Sequence, residues 1–84
     1  MSRYKVGVKI MPREVILDTQ GRAVEQILKQ NQFHPQQLRV GRFVELVIEG
    51  SEAEALKEAK KMTEFVLYNP LLENFELVSM GEVR

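Results

Sequence analysis

The sequence predicts a small α+β domain: a short antiparallel sheet with two helices packed on one face. Three observations lead to it. Residues 38–49, LRVGRFVELVIE, alternate with period two, with Leu38, Val40, Val44, Leu46 and Ile48 apolar on the even side and Arg42 the only exception. Residues 3–11 alternate in the same way, Tyr4, Val6, Val8 and Ile10 against Arg3, Lys5, Gly7 and Lys9. Two other stretches change to helical spacing. Period two marks a strand with one face on a core, and a period near 3.6 marks an amphipathic helix. Eighty-four residues make one domain, residues 1–84, with chain enough for one modest core. A chain of this size buries only about 60% of the surface it exposes when unfolded, so association would help it.

Taken in order, the elements read β-α-β-α-β. Pro12 ends the first strand because it cannot donate to a ladder. Residues 13–17 hold Val15, Ile16 and Leu17 and read as an extended connector with its apolar side chains tucked against the domain. Asp18 or Thr19 can cap the next helix, although Gly21 in its first turn weakens the propensity. Ala23, Val24, Ile27 and Leu28 then follow helical spacing, with Glu25 and Lys29 as an i,i+4 pair. A polar loop through His34 and Pro35 closes this helix.

The parity of the central stretch discriminates between topologies. A two-residue hairpin turn at Gly41-Arg42 would put Glu45 and Glu49 on the side of Leu38 and Val40 and turn Leu46 and Ile48 away. One long strand from Leu38 to Glu49, bent near Gly41, keeps the parity. A three-residue loop also keeps it and leaves open a short extra strand at residues 38–40, giving β-α-β-β-α-β.

Gly50-Ser51 ends the strand, and Ser51-x-x-Glu54 is a capping box. The helix that follows should run from Glu52 to about Tyr68, with Ala55, Leu56, Ala59, Met62, Thr63, Val66 and Leu67 as its buried stripe. Asn69-Pro70 stops it. A last strand falls within residues 73–80, and residues 81–84 read as a loose tail.

Composition excludes several function classes. With no cysteine there is neither a disulfide nor a thiolate metal site. Residues 1–10 have no apolar core of a signal peptide, and no run approaches the ~20 apolar residues of a membrane helix. A cytoplasmic location is the expectation. Twelve Lys plus Arg balance twelve Asp plus Glu, which argues against nucleic acid or an anionic membrane as partner and is compatible with self-assembly.

Candidates for chemistry are few. His34, the only histidine, has no neighbouring nucleophile and reads as a loop residue; without a second histidine or a cysteine, zinc is not indicated. Glu45 and Glu49 share a strand face, but four residues separate their backbones by ~13 Å, too far for a glycosidase pair. Lys5 and Lys9 have the same spacing, and an antiparallel pairing would set the basic pair against the acidic one. Arg39 and Arg42 bracket Gly41 without the glycine-rich loop of a phosphate site. No catalytic, cofactor-binding or metal residue is assigned. Phe43 and Val47 on the outer strand face, and Phe65 and Tyr68 off the helix stripe, are instead candidate subunit contacts, with Arg39, Arg42 and Glu45 beside them.

Four sets of residues then carry a resemblance. They are Tyr4-Lys5-Val6-x-Val8, and Val15-x-Leu17-Asp18-x-Gln20-Gly21-x-Ala23-Val24. They continue through Leu38-Arg39-Val40-Gly41-Arg42-Phe43-x-Glu45-Leu46-x-Ile48-Glu49, and end with Leu67-x-Asn69-Pro70-x-x-Glu73. Over nearly the whole chain this pattern resembles PurS, the small subunit of formylglycinamide ribonucleotide amidotransferase (phosphoribosylformylglycinamidine synthase) in purine biosynthesis. Thr19 stands where PurS sequences often have proline, and Arg42 where lysine is common.

The resemblance implies a non-catalytic assembly subunit of a glutamine-dependent, ATP-consuming ligase complex. Such a subunit forms a homodimer or higher oligomer and bridges a PurL-type synthetase and a PurQ-type glutaminase, with a role in ammonia transfer. ATP and magnesium would sit in the synthetase subunit and no cofactor in this chain. The alternative, argued from fold class alone, is a small-molecule-binding regulatory domain on a ferredoxin-like sheet.

Overall fold

A computed structural model describes residues 2–84. The element order is β1 (Arg3–Pro12), α1 (Thr19–Gln30), β2 (Arg42–Glu49), α2 (Glu52–Met62), a π-helical segment (Thr63–Leu67) and β3 (Glu73–Glu82). The three strands form one antiparallel sheet in the order β2-β1-β3, with β1 in the middle. The α+β class, the antiparallel sheet and the two helices are as the sequence predicts.

Parity also holds. Val6, Val8 and Ile10 of β1 are buried on one face, with Val44, Leu46 and Ile48 of β2 half-buried beside them and Phe43, Glu45 and Val47 exposed on the other. The central strand is shorter than expected. β2 starts at Arg42, and residues 38–41 lie outside the ladder, as neither a continuous strand nor a separate one. The cause is the destination of one amide: the Val40 N–H donates to Asp18 Oδ2 (2.8 Å) instead of to a strand. An extended coil keeps the same parity as a strand.

The sheet is covered on one face by α2, which packs on all three strands. Ser51 caps it by the predicted box: its hydroxyl accepts from the Glu54 N–H (3.2 Å), and Glu54 Oε1 accepts from the Ser51 N–H (2.9 Å). Ala55, Ala59 and Thr63, four residues apart, are fully buried, and these small side chains let the helix approach Val6 closely. Tyr4, Leu46, Ile48, Leu56 and Leu77 pack around that contact. The Thr63 hydroxyl donates to the Ala59 carbonyl (2.8 Å), so its burial leaves no polar group unpaired.

Past Met62 the helix widens into π geometry. Hydrogen bonds from i to i+5 advance each residue less around the axis than an α turn does. The predicted stripe therefore loses phase: Thr63 stays buried and Leu67 half-buried, but Val66 is exposed; Met62, the last α-helical residue, is also exposed, before the change of geometry.

The two helices do not share the sheet equally. α1 has no substantial contact with any strand, and Gly21 is its only buried residue. The radius of gyration is 16.1 Å, against about 12 Å for a compact domain of this length. Two smaller expectations also change. Val15 and Leu17 are exposed instead of tucked in, because the connector turns outward. Gly81 and Glu82 extend β3, and the Val83 N–H donates to the Arg3 carbonyl (2.7 Å), so most of the expected tail is tied down.

Replacing a fully buried side chain should separate this core from the exposed connector. Ile10→Ala should lower unfolding free energy by about 2–5 kcal/mol in urea titration, and Val15→Ala by under about 0.5 kcal/mol. Equal losses would contradict the core placement.

Candidate functional site

Three polar stretches far apart in sequence meet at one end of the sheet: Asp18-x-Gln20-Gly21, Arg39-x-Gly41-Arg42 and Asn69-Pro70-x-x-Glu73. Asp18 caps α1 by accepting from the Gly21 N–H at Oδ1 (2.8 Å) while Oδ2 takes the Val40 N–H (2.8 Å). One carboxylate thus fixes both the start of α1 and the segment entering β2. Gly41 is required next to it: a Cβ there would fall on the Ile10 carbonyl oxygen and the Met11 sulfur.

Arg42 then reaches across to β3. Its guanidinium donates to both oxygens of Glu73, and Nη2 donates also to the Leu67 carbonyl (2.8 Å) at the π-helix exit. Glu73 Oε1 accepts in addition from the Asn69 N–H (2.8 Å), and the Asn69 side chain accepts from the Leu71 N–H (3.0 Å) to hold the turn. On the other side Arg13 donates from Nε and Nη2 to the Pro70 carbonyl (3.1 and 2.8 Å). An open groove of about 480 Å3 lies over this junction, walled by Pro12, Leu17, Gln20 and Gly41 among others.

The electrostatics follow the hydrogen bonds. The Arg42 guanidinium, more than the opposing effect of burial, holds the Glu73 carboxyl below its ordinary value, and the same bond raises Arg42. The Val40 N–H first, then the Gly21 N–H, hold Asp18 low, with the Arg39 charge a smaller contribution. Each carboxylate is committed to protein donors. Such a junction can fix three chain segments, but offers neither an activated nucleophile nor a poised base. Among the described residues no group of three or more His, Cys, Asp or Glu is placed to hold a metal.

The structure divides the sequence-predicted residues into three sets. Arg42, Glu45 and Tyr68 have partners within the chain: Arg42 as above, Glu45 with Lys5 (3.3 Å), and Tyr68 edge-on to Phe75 with ring centroids 4.7 Å apart. Of the expected basic-against-acidic arrangement one pair is made, Lys5 with Glu45, a same-face diagonal two residues off the direct partner Val47. Arg39 is half-buried, and its Nη2 is buried with no hydrogen-bond partner.

Phe43, Val47 and Phe65 are exposed apolar side chains, Phe65 at 88%. The Phe43 ring lies over Gly7, where a Cβ would collide with it. Val47 shares that outer face, and Phe65 projects from the π-helical segment. Sequence reasoning missed the second bond of Asp18, the role of Glu73 as the Arg42 partner, and the Arg13 clasp. Asp18 and Glu73 stand within the quoted motifs, and a charged residue at a strand end opposite an unmatched arginine was the available signal.

Comparison with known proteins gives a consistent result. The family model PurS, described as phosphoribosylformylglycinamidine (FGAM) synthase, matches residues 5–80. The PurS subunit of phosphoribosylformylglycinamidine synthase from Bacillus subtilis is 36% identical over 73 residues, covering 86% of this chain and 87% of that protein. The PurS subunit structure from Thermotoga maritima superposes with a TM-score of 0.88 at 25% identity, covering 93% and 92% of the two chains. A chain in the structure of PurLQS from the same organism superposes with a TM-score of 0.87 at 27% identity, covering 95% of this chain and all of that one.

The junction predicts a pH dependence of stability. Asp18 and Glu73 have lowered pKa values in the fold, from ordinary values of 3.8 and 4.5. Their contribution is complete above those unfolded values and is lost as pH falls through the lower folded ones. Urea midpoints should hold from about pH 7 to about pH 5 and then drop with acid. Glu73→Gln should be less stable at neutral pH and lose stability less steeply below about pH 4.5; a profile parallel to the parent would contradict the role of Glu73.

Proposed function

The chain belongs to the PurS family, and on that premise we propose that it is the non-catalytic assembly subunit of phosphoribosylformylglycinamidine synthase in purine biosynthesis. It associates with itself and with PurL-type synthetase and PurQ-type glutaminase subunits. The observation that carries this is the family match over residues 5–80, joined by the likeness of the whole chain to a chain of the PurLQS structure. The regulatory ligand-binding alternative is not favoured.

The site geometry supports the division of labour. Asp18, Arg42 and Glu73 fix chain segments to one another, so reacting groups would come from the partners. ATP and magnesium belong, in this reading, to the synthetase subunit, and the complex works in the cytoplasm. No helix of the described residues is long and apolar enough to cross a membrane.

Of the candidate contacts, Phe43, Val47 and Phe65 are free to meet a neighbour. Arg42, Glu45 and Tyr68 shape the surface around them from within the chain. Their dispersal over the outer sheet face and the helix exit suits a protein with more than one neighbour.

Reconstitution tests the reading. Glutamine-dependent turnover by PurL-type and PurQ-type subunits with magnesium-ADP and ATP should require this chain; unchanged turnover without it would refute the proposal. Phe43→Glu should lower the oligomer mass in light scattering while leaving the thermal midpoint within a few degrees. An unchanged mass would remove Phe43 from the interface.

A further inference from the structure

We propose that the π-helical segment Thr63–Leu67 is a one-residue register latch. Arg42 holds it with Leu67 inward and Val66 outward, and release returns it to α geometry with Val66 turned towards the sheet. The latch is a conformational device within one chain and does not depend on the assembly reading.

The sequence supplies two claimants for one inward position. Val66 stands seven residues after Ala59, so a continuous α-helix would bury it on the stripe of Ala55 and Ala59. In the π segment Leu67 is the half-buried residue instead, and Val66 is 72% exposed beside the exposed Phe65. Leucine and valine differ by one methylene, so burial alone separates the two registers only slightly. Something else must decide.

Polar bonds at both ends of the segment decide it. At the start, the Ala59 carbonyl accepts from the Thr63 N–H and also from the buried Thr63 hydroxyl (2.8 Å). Such back-bonding by threonine loosens the helical ladder where the widening begins. At the end, Arg42 Nη2 donates to the Leu67 carbonyl (2.8 Å), a charge-assisted bond stronger than a neutral one. Glu73 fixes that guanidinium and takes the Asn69 N–H (2.8 Å), while Tyr68 packs edge-on against Phe75. Turning Val66 inward rotates Leu67 by ~100° and carries its carbonyl away from Arg42. The π register is therefore the one that Arg42 can hold.

The latch joins two places on the surface. Arg42 and Glu73 line the open groove at the end of the sheet, so the holding bond is reachable from solvent. The other place is the helix exit, where the held register puts Phe65 and Val66 side by side in solvent. An acceptor that draws the guanidinium into the groove frees the Leu67 carbonyl and withdraws Val66 from that exit. Single π turns within α-helices often mark functional sites, and here the two registers present different apolar surfaces.

Thiol labelling reads the register directly, because the chain has no cysteine of its own. Full-length Phe65→Cys, Val66→Cys and Leu67→Cys proteins are reacted with a maleimide, each with and without Arg42→Ala. With Arg42 in place, position 66 should react several-fold faster than position 67. Arg42→Ala should reverse that order, slowing position 66 and speeding position 67 several-fold, with position 65 unchanged. Faster labelling at all three positions marks general loosening, and an unchanged order means that Arg42 holds nothing; either result overturns the latch. A second variant does not depend on Arg42. Deleting Glu64 lets a continuous α-helix bring Leu67 inward, so the thermal midpoint should stay within a few degrees of the parent. Deleting Lys57 turns Ala59 and Thr63 off the sheet and should lower the midpoint by ~10 °C or more. Equal losses from the two deletions also overturn the proposal.

Discussion

The fold depends on the bond between Arg42 and Glu73 at one end of the sheet. Arg42 opens β2 and Glu73 opens β3, and neither strand touches the other, because β1 lies between them. The guanidinium spans that gap and also satisfies the Leu67 carbonyl where the π-helical segment ends. A planar fork with several donors lets one side chain meet the Glu73 carboxylate and the Leu67 carbonyl together. Asp18 completes the junction on the α1 side, so one corner sets where β2 begins, where the second helix ends and where α1 points.

That corner explains why the domain is thin. Small residues on α2 bring it close to β1, and the strand face away from it has no second layer. The principal extents of 51 × 29 × 15 Å describe two layers and an offset helix. A free compact domain of 84 residues would use both helices to close its core. Here Val24, Ile27, Phe43, Val47 and Phe65 remain exposed, and their coverage falls to neighbours. A subunit whose task is assembly can distribute its hydrophobic surface in this way, since part of its stability comes from association.

Much of the fold was legible because it is set by local rules. Alternation placed Val6, Val8 and Ile10 on the core, and the Ser51–Glu54 capping box fixed the start of α2. Of the two caps the sequence allows, Asp18 or Thr19, Asp18 is the one used, a local bond between residues three apart. What escaped the sequence is non-local or phase-dependent. Residues 38–41 keep strand parity although the Val40 amide bonds to Asp18, and a π turn shifts the stripe that an α wheel assigns to Val66. An amphipathic α1 announces that one side will be covered without saying by which chain. The polar corner was legible only as three separate motifs, since the pairing of Arg42 with Glu73 spans 31 residues.

Hydrogen exchange of the α1 amides at several protein concentrations tests most directly whether this helix is completed by association. Protection of α1 should rise with concentration from near zero in dilute solution, while β1, whose core residues are covered by α2, stays protected throughout. Protection of α1 equal to that of β1 in a dilute monomer would contradict the account.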